Sequence, residues 1–200
     1  MAWEKNFDVD DVLDRAAEVF SIKGFEATSI ADLVKGMGVN RGSLYATFGN
    51  KHDLFKAVLT RFVEDHQART LAQLDAMGAP VTAITGLFDA VLTQSVTDKE
   101  KKGNLIVTSA LEFPNHEEDI QQIVTRALGK LEAFFVRRIE AAKASGQIGA
   151  DIHTEGAARS LVALTVGVRV LARGARDAEA LRSVKAAALR VIGVEDLARI

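Results

Sequence analysis

Hydrophobic residues recur every three to four positions along almost the whole chain, which is the spacing of helices that bury one face. The first such run predicts a helix over residues 9–23 that stops at Gly24. Later runs have the same period, and none shows the period-two alternation of a half-buried strand. The pattern therefore predicts an all-α protein.

Two short helices are predicted between the first helix and residue 50. Thr28 and Ser29 offer cap oxygens for one of them, and Asn40 offers a cap for the other. Asn50 can cap a much longer helix that continues to Gly78. Two short helices joined by a tight glycine turn are typical of a helix-turn-helix, whose second helix enters the DNA major groove.

Composition narrows the class of protein. The 200 residues carry 25 basic and 27 acidic side chains, and 48% of them are hydrophobic, so the chain can bury a core and has room for two modules. The absence of cysteine excludes disulfides, thiolate metal sites and thiol nucleophiles. No apolar run is long enough for a membrane span, and the start lacks a signal peptide, so we expect a cytoplasmic protein with no membrane partner.

Charge is distributed unevenly within the first 61 residues. Residues 35–61 hold five basic side chains against one acid, a net charge of +4. Residues 4–32 hold three against eight, a net charge of −5. A local basic patch is what phosphate binding requires, even in an acidic chain.

One segment carries specific identities at fixed spacing. They are Thr28-Ser29-Ile30, Asp32-Leu33, Gly38-Val39, Gly42-Ser43-Leu44-Tyr45, Phe48, Lys51 and Leu54. Together they resemble the DNA-binding signature of the tetracycline-repressor (TetR) family, with Met37 as a departure from the common alanine. The resemblance implies an all-α fold of about nine helices, with a helix-turn-helix head over residues 1–60 (its motif at about 28–48) and a helical ligand-binding and dimerisation domain over residues 61–200.

The resemblance also implies a set of DNA-contacting residues: Thr28, Ser29, Arg41, Gly42, Ser43, Tyr45, Thr47 and Lys51. Arg41, Gly42 and Ser43 would open the recognition helix and meet base edges, with Arg41 able to fork onto guanine. The other five would contact phosphates. Thr28, Ser29 and Asn50 have a purely structural alternative as helix caps, and Tyr45 has one as a half-buried core aromatic.

A polar stripe in the second domain is the candidate wall of an effector pocket. Asn104, Thr108 and Glu112 are spaced four apart in a predicted helix over residues 104–113. Further candidates for the same pocket are Phe88, Phe113, His116 and Arg169. A solvated helix face is the alternative interpretation. Such pockets are mostly apolar, so the expected effector is a small, largely hydrophobic molecule.

The last two predicted helices carry small and apolar residues that could pair with a second copy. The candidate dimer residues are Leu161, Leu164, Gly167, Val168, Leu171, Leu181, Val184, Ala188 and Val191. An intramolecular core would use the same residue types. A two-fold dimer would also match a palindromic operator.

The sequence contains no recognisable enzymatic motif. The four histidines are scattered without a metal-binding spacing, and no G-x-S-x-G occurs, so we expect no catalytic residues, no metal and no cofactor. The sequence predicts a ligand-responsive DNA-binding repressor, a homodimer released from a palindromic double-stranded operator by its effector. The alternative is an all-helical small-molecule carrier without specific DNA binding, and salt-dependent DNA affinity distinguishes the two.

Overall fold

The computed structural model describes residues 7–98, 102–174 and 178–194. Across these ranges every regular element is a helix, so the all-α prediction is confirmed. The α-helices are α1 Val9–Lys23, α2 Ile30–Met37, α3 Arg41–Phe48, α4 Lys51–Arg61, α5 Ala68–Asp75, α6 Pro80–Thr97, α7 Leu105–Leu111, α8 Glu118–Ala144, α9 Thr154–Gly174 and α10 Ala178–Val191.

The long helix predicted after Asn50 is present with a change in its winding. A π-helical segment, Phe62–Gln67, connects α4 to α5 without a break. The helix ends at Asp75, before Gly78, whose φ of 80° lies in the left-handed region. When α4, the π-helical segment and α5 are counted as one continuous helix, the described residues form nine α-helices, in agreement with the expected number.

The chain divides into two compact units. Unit 1 comprises residues 1–66 and 104–124, and unit 2 comprises residues 67–103 and 125–200. This division differs from the predicted 1–60 and 61–200, because α7 packs against α1: the Thr108 hydroxyl donates to the Ser21 carbonyl at 3.4 Å. Residues 104–124 thus belong with the N-terminal helices.

The core of unit 1 forms where the short helices meet α1 and α4. Phe20, Leu33, Leu44 and Phe55 are completely buried there, one from each of the four helices. Each short helix is amphipathic and too short to be stable alone, so burial of these side chains holds the helices in place.

Unit 2 contains two clusters of buried side chains. The larger includes Phe88 of α6, Phe134 and Phe135 of α8 and Leu161 of α9. The smaller consists of Val91, Leu92, Val168 and Leu181, from α6, α9 and α10.

Four of the predicted dimer residues belong to these clusters. Leu161, Val168, Leu181 and Ala188 are at most 3% exposed in the single chain, so their assignment to an intermolecular surface is wrong. The intramolecular alternative applies to them, because the two kinds of core use the same residue types.

The other five predicted dimer residues have surface in the single chain. Leu171 is 48% exposed, and a Cβ added at Gly167 would meet no atom within 4 Å. Leu164, Val184 and Val191 are partly buried against the unit 2 clusters.

Among the described helices, none is long and apolar enough to cross a membrane.

Candidate nucleic-acid interface

The helix α3 begins where the asparagine side chain caps it. Asn40 accepts a hydrogen bond from the Ser43 backbone N–H at 2.8 Å. Leu44, one turn into the helix, is fully buried and fixes which face points to the core. Arg41, Gly42 and Tyr45 consequently lie on the solvent-exposed face.

Arg41 and Tyr45 form a pair on that face, one helical turn apart. The Arg41 Nη2 donates to the Tyr45 hydroxyl at 3.4 Å, and its guanidinium carbon lies 5.6 Å from the centre of the ring. Tyr45 is 39% exposed, so part of its side chain is accessible to a ligand. The pair offers a planar donor fork and a phenolic hydroxyl, groups suited to a guanine edge and a phosphate respectively.

Ser43 is a correction to the predicted base contacts. The residue is only 5% exposed, so its side chain packs in the head and cannot reach a base edge. Thr47 is partly exposed near the other end of α3 and has room to approach a phosphate.

The N-terminus of α2 is held by a reciprocal capping box. Ser29 Oγ accepts from the Asp32 N–H at 3.1 Å, and Asp32 accepts from the Ser29 N–H at 3.0 Å. Hydrogen bonds from Lys23 and Ser29 hold the pKa of Asp32 well below its usual range. Thr28 is buried and its hydroxyl donates to the Gly24 carbonyl, so its side chain is engaged within the protein and the predicted phosphate contact would have to come from its backbone. Ser29 remains exposed.

Lys51 binds the protein rather than projecting into solvent. Its ammonium donates to the carbonyls of Phe25 and Thr28 at 2.9 and 3.0 Å and lies 4.3 Å from the centre of the Phe25 ring. Both acceptors are neutral, so the ammonium charge is not cancelled. Lys51 therefore shapes the turn between α1 and α2 and adds positive potential beside Ser29, which is a narrower role than the predicted phosphate clamp.

The basic patch predicted over residues 35–61 is smaller than the number of its basic residues indicates, because two of them are paired with acids. Lys56 bonds to Asp119 at 2.8 Å, which raises the pKa of the lysine. Arg61 contacts Asp10, Asp14 and Asp65 at 2.8, 3.2 and 3.4 Å, and the hydrogen bond to Asp14 is the main cause of its raised pKa.

Three basic side chains of the predicted patch have no carboxylate partner among the described residues. These are Lys35 at the end of α2, Arg41 at the start of α3, and Lys51, whose acceptors are backbone carbonyls. The positive potential of the head is therefore centred on the exposed starts and ends of the two short helices.

A contact that sequence reasoning missed supports the turn before α2. Glu112 Oε2 accepts from the Phe25 N–H at 2.8 Å. Gly24 has a φ of 80°, and a Cβ there would overlap the Glu112 carboxylate. The two partners are 87 residues apart in sequence, and no local pattern connects them.

His116 lies beneath the same turn in an aromatic cluster. Its ring is 5.5 Å from that of Phe55 and 5.7 Å from that of Phe25, centre to centre. Burial lowers the pKa of His116, and its Nε2 has no hydrogen-bond partner among the described groups. The residue supports the head from inside.

The predicted effector residues are divided between the two units. Asn104, Thr108, Glu112, Phe113 and His116 are in unit 1, where Asn104 caps α7 at the Val107 N–H, 3.2 Å away. Asn104, Thr108 and Glu112 each make a hydrogen bond within unit 1, and their role as a pocket wall stays a prediction. A solvated face does not describe Thr108, which is buried.

The two remaining effector candidates are in unit 2. Phe88 is fully buried in the larger cluster. Arg169 is only partly buried and lies beside a small cleft. Arg169 has a polar group that lines a cleft within its own unit.

Three groups in unit 1 could approach a cation. One ligand atom each from His52, Glu117 and Asp119 lies within 4.8 Å of the others. The two His52 nitrogens face different acids, Glu117 at 3.5 Å and Asp119 at 3.2 Å, and the Lys56 ammonium already contacts Asp119. The arrangement is that of an ion-pair network, with the lysine in the position of a cation.

Comparison with known proteins identifies the family of the chain. Residues 12–58 match the model of the bacterial regulatory proteins of the tetR family, and residues 80–188 match the tetracyclin repressor-like C-terminal domain. An uncharacterised helix-turn-helix transcriptional regulator of Bacillus subtilis, YezE, is 31% identical over 91% of this chain and 94% of its own. The chain belongs to the TetR family of transcriptional regulators, and the predicted resemblance is confirmed.

Two further relatives indicate what proteins of this kind do. The transcriptional repressor ComR of Escherichia coli is 29% identical over 94% of this chain and 90% of its own. The TetR family regulator CifR, solved as a cysteine mutant with a 26 bp operator duplex, is 28% identical with a TM-score of 0.80, covering 93% of this chain and 97% of that one. The chain is accordingly a DNA-binding transcriptional regulator and not an enzyme.

Proposed function

We propose that the protein is a homodimeric repressor that binds a palindromic operator and leaves it when a small effector binds the C-terminal helices. The observation that carries the DNA-binding step is the exposed Arg41–Tyr45 pair at the start of α3. Ser29, Gly42 and Thr47 share accessible positions in the two short helices and are proposed as accessory contacts. ComR supports the sign of regulation by its name, and CifR supports operator binding by its complex.

The direct test selects random duplex DNA on the purified full chain and sequences what is retained. An inverted repeat is expected, because a two-fold dimer presents two α3 helices to two half-sites. Weak binding without sequence preference at any salt concentration would overturn the proposal and favour the carrier alternative.

Arg41 is tested on the selected operator. Arg41→Ala should weaken binding by about 1–3 kcal/mol and relax the preference at one base position of each half-site, because a bidentate contact to guanine is lost. Arg182→Ala, an exposed arginine on α10, is the matched control and should leave operator affinity unchanged. An equal loss on all sequences would make Arg41 a phosphate contact instead.

The dimer is proposed to form through the outer face of α9. Val170 and Leu171 are 40% and 48% exposed in the single chain, and Gly167 leaves space for a close helix approach. Leu171→Glu should convert the dimer to monomer in sedimentation and abolish cooperative operator binding. A dimer that survives Leu171→Glu would place the interface elsewhere.

A further inference from the structure

A small cleft opens in unit 2 between α6 and α9. It has a volume of about 20 Å³, enough for one water-sized group, and it is bordered by Gln94, Ser95, Asp98, Arg169 and Arg173. Polar side chains border it on both helices, together with Ala172, which also packs against the apolar cluster around Val168.

Arg169 enters this cleft with an incomplete set of partners. Its Nη1 donates to the Gln94 side-chain oxygen at 2.9 Å, a neutral acceptor. No carboxylate of the described chain forms an ion pair with it, and burial lowers the pKa of Arg169 to about 10. A guanidinium that is only partly covered and has no carboxylate partner keeps N–H donors available at the cleft.

The rest of the cleft does not supply that missing anion. Asp98 accepts from the Gly103 backbone N–H at 2.9 Å and forms no ion pair with Arg169. Arg173 lies one helical turn further along α9 and also borders the cleft, and it has interactions of its own. Ser95 adds a hydroxyl that can donate.

We infer that this cleft binds a small carboxylate, whose oxygen atoms accept hydrogen bonds from Arg169 beside Gln94. The planar fork of a guanidinium matches the two oxygens of a carboxylate. The cleft is small, so it holds at most the head of a ligand, and the remainder of the ligand extends from the mouth of the cleft.

The inference deepens the proposed function, on which it rests for the role of the ligand as effector. A carboxylate head also changes the expected chemistry of that effector. The sequence predicted a largely hydrophobic molecule, whereas Arg169 selects for a negative charge at one end.

The test measures binding to the purified full chain by calorimetry, with benzoate and octanoate as probes and benzamide and octanamide as neutral matches. Both acids should bind, and the amides should bind at least about 10-fold more weakly, because they lack the charge that the guanidinium pairs with. If neither acid binds at millimolar concentration, or if each acid and its amide bind equally, the inference is wrong.

Two substitutions at the cleft make the test specific. Arg169→Gln should reduce acid binding about 10-fold or more by removing the fork. Gln94→Glu should do the same by a different route, since the new carboxylate would pair with Arg169 and take the place of the ligand. Arg159→Gln is the control, because Arg159 is on the same helix but exposed and paired with Glu132 at 3.1 Å.

Operator binding is measured on the same samples, so that the two proposals can fail separately. If the acids bind at Arg169 but do not weaken operator affinity, the anion site is confirmed and its proposed role as the effector site is wrong. Failure of the unmodified protein to bind any operator would overturn the proposed function, and the calorimetric result would still decide the carboxylate site. Acid binding that is unchanged in both Arg169→Gln and Gln94→Glu would overturn the site itself.

Discussion

Arg61 in unit 1 and Arg169 in unit 2 are partly buried arginines with opposite surroundings. Arg61 has three carboxylates within 3.4 Å, on α1 and on the π-helical segment. Arg169 has one amide oxygen. A guanidinium that is already neutralised holds helices together, while one that lacks an anion is available for binding. The same side chain thus serves structure in one unit and is poised for recognition in the other.

The largest change in stability is expected when Arg61 is replaced. Arg61→Gln should lower the free energy of unfolding by about 1–2 kcal/mol, because Asp10, Asp14 and Asp65 would repel one another without the cation. Urea unfolding followed by circular dichroism measures it. Arg159→Gln provides the comparison with a surface pair, and an equally small loss in both variants would contradict a special role for the Arg61 network.

Removal of the Glu112 carboxylate should lower the free energy of unfolding by about 1 kcal/mol. Glu112→Ala leaves the partly buried Phe25 N–H without its acceptor, and the cost of an unpaired donor is of that order. Glu112→Gln retains a side-chain oxygen and should recover most of the loss. Hydrogen exchange at the Phe25 amide reports on this bond directly, and unchanged protection in Glu112→Ala would show that another group holds the turn.

A smaller and pH-dependent effect is expected at Asp119. The hydrogen bond from Lys56 lowers the pKa of Asp119 to about 2, below its usual value of 3.8. A lowered pKa stabilises the folded state above about pH 4, and this stabilisation is lost as pH falls towards 2. Asp119→Asn should therefore reduce stability by less than about 1 kcal/mol at pH 6, and this difference should shrink as pH falls through 2.

The matched control for this pH dependence is Asp151→Asn. Asp151 is an exposed carboxylate in the loop before α9. Parallel stability curves for Asp119→Asn and the unmodified protein, from pH 6 to pH 2, would rule out the contribution of the Lys56 bond.

The smallest change in stability is expected at Arg169. Arg169→Gln should alter the free energy of unfolding by less than about 0.5 kcal/mol, or raise it, since it removes a charge that no carboxylate offsets. Compared with Arg61→Gln under the same conditions, this outcome separates a structural arginine from a binding one. A loss as large as that of Arg61→Gln would show that Arg169 has an essential structural partner.

The elements with local signals were predicted well from the sequence. Asn40 and Asn50 cap α3 and α4 as expected, and α1 has the predicted bounds of 9–23. Capping depends on residues three apart, so a window of a few positions contains the necessary information. For the same reason the family signature could be identified from Thr28 to Leu54.

Side-chain partners far apart in sequence were not predictable in the same way. Periodicity shows that α9 has an apolar stripe, but Leu161 and Leu171 look equivalent until neighbouring helices cover one and leave the other exposed. Thr108 likewise looks like a surface residue until α1 provides its acceptor. Arg169 was identified as a candidate by type alone, because its partner Gln94 lies 75 residues away.

The contact between Gly24 and Glu112 has a consequence for how the sequence of this chain can diverge. Any side chain at position 24 meets both an unfavourable backbone angle and the carboxylate of Glu112. The atoms in the way are the far end of the flexible Glu112 side chain, so the carboxylate can move aside, and it then loses its hydrogen bond to the Phe25 N–H. A substitution at position 24 therefore removes the contact that position 112 provides, and the two positions are expected to depend on each other.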